Sequence, residues 1–128
     1  MNPETRLQQQ VTQLLQRFEQ RGALTWFPVP NSIFVAGRSI RERNKRVAQL
    51  KACGLLRPGP LDLVICLPGG RVGHLELKIG DNALEPSQKA MIERLEALGH
   101  LHAVARDLYE AAETIARWLA VTRLGRAA

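Results

Sequence analysis

The stretch LDLVICLPGGRVGHLELKI, Leu61 to Ile79, sets Asp62 before a turn and Glu76 and Lys78 after it. Two carboxylates and a lysine are what hydrolysis of a phosphate ester calls for. The acids hold a hard divalent cation, and the amine orients water, helps deprotonate it or offsets developing charge. Whether these groups meet depends on the turn. If the loop is the PGG of Pro68, Gly69 and Gly70, Leu67 pairs with Arg71 and Asp62 lies directly across from Glu76. Side chains alternate faces along a strand, which brings Lys78 to the Glu76 face. The opposite face carries Leu61, Leu63, Ile65 and Leu67 with Leu75, Leu77 and Ile79, an apolar surface that anchors the register and is ready to take a helix.

Two carboxylates held this close repel, and one tends to stay protonated unless a cation neutralises them. Mg²⁺ and Mn²⁺ suit oxygen ligands and are commonly held by one or two carboxylates, with positions left for water and phosphate. The same residues also fit a solvated hairpin face with an acid pair and a salt-bridged lysine. Glu4 bears on the choice. At about 100° per residue it falls within the arc of Leu7, Val11, Leu15 and Phe18, toward the packed side, whereas Glu19 sits roughly 60° off it. Glu4 is then either a third inward acid or a residue fraying into solvent where the helix dipole favours it. Gln88 stands in the first turn of a later helix, a position that is also ordinary for an exposed polar residue. His74 falls on the Glu76 face and could line the site, while His100 and His102 belong to another strand, and no His/Cys cluster has zinc spacing. The chain has neither a phosphate-binding glycine loop followed by Lys-Ser/Thr nor a G-x-S-x-G turn. Tyr109, Trp118, Cys53 and Cys66 read as packing residues.

The elements that must position these groups follow from periodicity. Pro3 to about Arg21 reads as an amphipathic helix stopped by Gly22. ALTWFPVPNSIF reads as a short strand or extended edge that turns at Pro30-Asn31. The next stretch reads as a mobile basic loop entering a short helix that ends near Gly54. Here Arg38, Arg41, Arg43, Lys45, Arg46, Lys51 and Arg57 are opposed only by Glu42, the largest local charge excess in the chain. After the hairpin, Pro86 suits the start of a helix over Ser87 to Leu98 with Met91, Ile92, Leu95 and Leu98 inward. HLHAVAR reads as a third strand. Asp107 is the expected N-cap of a last helix whose inward residues are Leu108, Ala112, Ile115 and Leu119. This order predicts an α/β fold with a central mixed sheet flanked by helices.

A chain of 128 residues, 45% hydrophobic and 23% charged, is the size of one domain with its own core. Its net charge of +6 favours a polyanionic partner, nucleic acid or an anionic membrane surface. With two cysteines, no signal-peptide pattern and no apolar run of about 20 residues, the expectation is a cytoplasmic protein that does not span a membrane.

Asp62 followed after a turn by Glu76-Leu77-Lys78 resembles the PD-(D/E)XK nuclease signature. The wider pattern is similar to the virus-type replication-repair nuclease (VRR-NUC) domain, in its small stand-alone form. It comprises PETRLQQQV with its leading Glu4, Asn31 after a strand, a basic stretch, the glycine-containing approach ACGLLRPGPLDL, then HLELK, then LEPSQKAMIERLEALG. The resemblance covers about residues 4–106, leaving a C-terminal helix of about 107–124, so residues 1–128 are expected to form one domain. In one place the chain departs from it: the family commonly has Pro immediately before the Asp, where this sequence has Leu61, with Pro60 one position earlier.

The resemblance implies a restriction-endonuclease-like core and Mg²⁺- or Mn²⁺-dependent hydrolysis of DNA, often at flaps or Holliday junctions, in replication, recombination or repair. It implies Glu4, Asp62, Glu76 and the main-chain carbonyl of Leu77 as the metal site. Asp62, Glu76, Lys78 and Gln88 would be catalytic. Asn31 and the basic residues Arg38, Arg41, Arg43, Lys45, Arg46, Lys51 and Arg57 would meet nucleic acid. Small relatives act as dimers, and symmetrical cutting of a junction by a chain with one site needs two copies, so a homodimer is expected, in a bacterial or phage-infected cell. Two rival readings stand beside the enzyme. One is a non-catalytic nucleic-acid-binding module on the same scaffold, and the other an adaptor whose basic segment binds an acidic protein.

Overall fold

The computed structural model describes residues 1–30 and 37–127, with side chains up to residue 121. Asn31, expected to contact nucleic acid, lies outside the described residues. The first helix, α1 (Pro3–Gln20), begins where the Asn2 side chain accepts a hydrogen bond from the Thr5 N–H at 2.8 Å, with Pro3 in the first turn. Its stripe of Leu7, Val11 and Leu15 is buried, and Gly22 takes the positive φ of 73° that turns the chain out of it. The chain enters β1 (Thr25–Pro28), an edge strand, which is where a proline is tolerated in a sheet.

The hairpin forms as its pattern predicts. Strands β2 (Leu63–Cys66) and β3 (Val72–Leu77) pair antiparallel with Leu63 opposite Leu75 and Cys66 opposite Val72, joined by a single tight turn at Pro68–Gly70. The Leu67 N–H donates to the Arg71 carbonyl at 2.8 Å. β4 (Leu101–Ala105) then adds in parallel on the far side of β3, completing a mixed four-stranded sheet in the order β1-β2-β3-β4. The crossover between β3 and β4 contains α3 (Pro86–Ala97), and α4 (Leu108–Ala127) closes the chain. One sheet face, with Leu63, Ile65, Leu75 and Leu77, packs on α1 and α4 to make the core with Val11, Leu15, Ile115 and Trp118. Gly73 lies on that face because the Trp118 ring occupies the space a side chain would need. α3 covers part of the other face, burying Met91 and Leu95.

Three expectations are corrected. Leu98 and Leu108, read as inward, are exposed, because Leu98 is the C-cap of α3 and Leu108 the first residue of α4, where the buried stripe ends. The basic stretch is mostly helix rather than loop: α2 (Ile40–Ala52) carries Arg41, Arg43, Lys45, Arg46 and Lys51, while only Arg38 and Arg57 lie outside it. The helix expected to end near Gly54 is thus present but longer than the sequence suggested, because it buries no residue and so has no apolar stripe to mark its start.

Candidate active site

Where β2 and β3 reach the end opposite their turn, side chains take over from the main-chain ladder. The Asp62 N–H donates to Glu76 Oε1 at 3.0 Å, and the Leu77 N–H donates to Asp62 Oδ2 at 2.8 Å. The two acids thus lock each other across the strands, while the Asp62 carbonyl accepts from the Val29 N–H at 2.8 Å and ties in the chain leaving β1. Leu61, in the place where the resembled pattern has proline, is 1% exposed and fills the core beneath this junction.

Glu76 is only 3% exposed, yet both its oxygens are engaged. Gln88 Nε2 donates to Oε2 at 2.6 Å, and Lys78 Nζ stands 3.7 Å from the same oxygen. The orientation of Gln88 is set by the start of α3. Glu85 and Gln88 form a capping box in which the Glu85 N–H donates to Gln88 Oε1 at 2.9 Å, leaving the amide nitrogen to face Glu76. Gln88 is therefore buried at a helix start, where a polar residue is ordinarily solvated. Burial, reinforced by the neighbouring Asp62 charge, pushes Glu76 up to about 7, against the counter-effect of the bond from Gln88.

These groups line a cavity of about 600 Å³ together with Glu4, Gln8, Arg57, Gly59, Glu85 and Ser87. Glu4 lines the cavity from the first turn of α1 and is exposed there, so it is neither buried with the acids nor turned away from them. Gln8, one turn on, was missed, although its spacing from Glu4 is the i, i+4 relation that puts two residues on one face. Glu85 was missed as well, and the capping-box spacing to Gln88 was its signal. Arg57 joins the wall, whereas Arg38, Arg41, Arg43, Lys45, Arg46 and Lys51 do not. Gly59 reaches it by close approach: at φ 110°, a Cβ there would meet the Ser87 carbonyl oxygen at 2.7 Å.

His74 is on the Glu76 face but does not line the cavity. Parallel pairing places His102 opposite His74, and His74 Nε2 lies 2.9 Å from His100 Nδ1 with the rings stacked. The three histidines thus gather away from the acids, and burial together with the other two lowers the pKa of His74.

Among the described residues, no group of three or more His, Cys, Asp or Glu side chains is placed to hold a metal ion. The donor set nevertheless fits a hard divalent cation of the Mg²⁺ type, which takes one or two carboxylates and completes its shell with water and phosphate oxygens. Glu76 is an acid whose ionisation is opposed by burial and by the adjacent Asp62 charge, a conflict that a cation would relieve. Extended backbone turns the N–H and C=O of one residue to the same edge, so the Leu77 carbonyl faces the Asp62 side, where it could offer a further hard oxygen.

No family model and no curated relative matches the sequence. Solved structures do. One described as a VRR_NUC domain protein superposes with a TM-score of 0.60 at 22% identity over 91% of this chain and 88% of its own. Another, described as a VRR_NUC domain, gives 0.57 at 21% identity over 90% of this chain and 96% of its own. The mixed sheet flanked by helices is thus the restriction-endonuclease-like fold of these neighbours.

Proposed function

We propose that this chain, which has the fold of the VRR_NUC domain, is a metal-dependent DNA endonuclease that hydrolyses phosphodiester bonds, selecting branched DNA such as four-way junctions or flaps. The observation that carries this reading is the reciprocal lock of Asp62 and Glu76 at the wall of an open cavity, with Lys78 and Gln88 on the same carboxylate. A structural ion pair has no need of a second acid, here the half-buried Asp62.

In this mechanism Asp62, Glu76 and the Leu77 carbonyl would hold Mg²⁺ or Mn²⁺, with Glu4 on the same cavity wall. When bound there, such a cation would supply Lewis-acid polarisation of the phosphate and a more acidic water. Gln88 keeps Glu76 Oε2 in place by a hydrogen bond fixed from the α3 cap. Lys78, beside the same oxygen, orients the attacking water and offsets the charge that develops on phosphate. Arg57 on the wall and the cations of Arg38 and α2 hold the backbone to either side of the cut. Among the described residues there is one such site, so paired cuts across a junction would use two copies, a homodimer.

The test is cleavage of labelled four-way junction, flap and linear duplex DNA with Mg²⁺, Mn²⁺ or EDTA, beside Asp62→Asn. Metal-dependent cutting lost in the variant is the expected result. Tight binding with no cutting of any substrate would replace the enzyme by a binding module.

A further inference from the structure

We propose that α2 is a groove-entering helix, seated in the major groove of B-form DNA with its cations meeting phosphates on both walls. This rests on the DNA reading above for its polymer, and on α2 itself for its geometry. None of the residues of α2 is buried, so the core does not explain the helix. It is held locally instead. The Ser39 side chain accepts from the Glu42 N–H at 3.1 Å, Glu42 accepts in return from the Arg38 N–H at 2.9 Å, and Glu42 pairs with Arg46 at 3.1 Å.

The half-buried Val47 and Leu50, with the stem of Arg43 close over Gly37, mark the side facing the protein. Turning about 100° per residue, the opposite side presents Arg41, Lys45, Ala48 and Ala52, all exposed, with Lys51 on one flank and Arg46 on the other. The cations therefore run round the helix rather than along one stripe. A flat anionic surface uses a single stripe, and a membrane also wants large apolar residues outward, where α2 has alanines. A groove has charged walls on two sides and a floor between them. The major groove, about 12 Å wide, admits a helix of about 10–12 Å diameter. Ala48 and Ala52 are small enough to let the helix axis approach that floor. The chain then passes from Ala52 to Arg57 on the cavity wall in a connection that spans at most about 17 Å. The phosphate delivered to the acids is thus a near neighbour of the groove α2 occupies.

The experiment is metal-free binding, by fluorescence anisotropy in EDTA, of the full chain to a DNA duplex and to an RNA duplex of the same sequence, whose deep, narrow major groove side chains cannot enter. The expected result is DNA bound about tenfold or more tighter than RNA. Arg41→Gln with Lys45→Gln should weaken DNA binding and lower the salt slope by about two. Ala48→Phe, which leaves charge unchanged, should weaken DNA binding severalfold with the melting temperature retained. Equal affinity for the two duplexes, no binding to either, or an Ala48→Phe variant that binds like the parent would overturn the proposal. Because no step requires cutting, an inactive but groove-binding protein would sink only the nuclease reading.

Discussion

Glu76 is the residue on which the chemistry and the stability of this protein meet. Its carboxyl is pushed from 4.5 up to about 7, first by burial and then by Asp62. Between those two values the folded chain keeps a proton that the unfolded chain has lost, so this group's contribution to stability falls as pH rises through the window and levels off above it. On the proposed function, a divalent cation would compete with that proton. Thermal melts between pH 5 and pH 8 should therefore show a stabilising shift by Mn²⁺ that grows with pH, and Glu76→Gln should flatten both trends. A cation effect of the same size at both ends would remove Glu76 from the metal site. Lys78 tests the other half of the assignment. Lys78→Ala should lower the cleavage rate by roughly 10²-fold or more while DNA affinity in EDTA stays nearly constant. An equal loss of binding and rate would make Lys78 a phosphate contact instead. The meeting of Asp62, Glu76 and Lys78 was legible in the sequence because a three-residue loop fixes hairpin register and strand alternation does the rest. The polarity of Gln88's environment was not legible from the residues, because burial at a helix start depends on what the helix is laid against.

At the scale of elements, the hairpin's apolar side is as demanding as its acidic side. Trp118 of α4 lies over Gly73 of β3 at the centre of the core face. Gly73→Ala drives a Cβ into the indole and should cost about 1–3 kcal/mol, read as a lowered Tm by circular dichroism. Trp118→Leu in the same chain should recover part of that loss, since neighbouring changes are not additive. Simple addition of the two losses would mean the contact is not the cause. Helices α1, α3 and α4 were readable because they bury stripes or begin at recognisable caps. The apolar pattern gave out at the helix ends, where Leu98 and Leu108 are exposed, and in α2, which buries no residue and is held by local caps and an ion pair.

For the molecule as a whole, the mixed sheet and the layer of helices on its apolar face followed from element order, while the gathering of His74, His100 and His102 did not. That gathering comes from the parallel seating of β4 beside β3, a long-range choice no local pattern encodes. Size sets the next expectation. A 14.3 kDa chain with one site should scatter light as a dimer, both free and with junction DNA, if it cuts both strands symmetrically. A monomer under both conditions would argue for single-strand cutting, one copy at a time. The capping box of α3 carries a consequence of another kind. One amide, that of Gln88, both holds the Glu85 N–H and grips Glu76 Oε2. Whatever draws Glu76 aside tugs on a backbone proton three residues up the chain, so deuterium uptake at Glu85 becomes a clock that ticks with the state of the site, readable without substrate and without turnover.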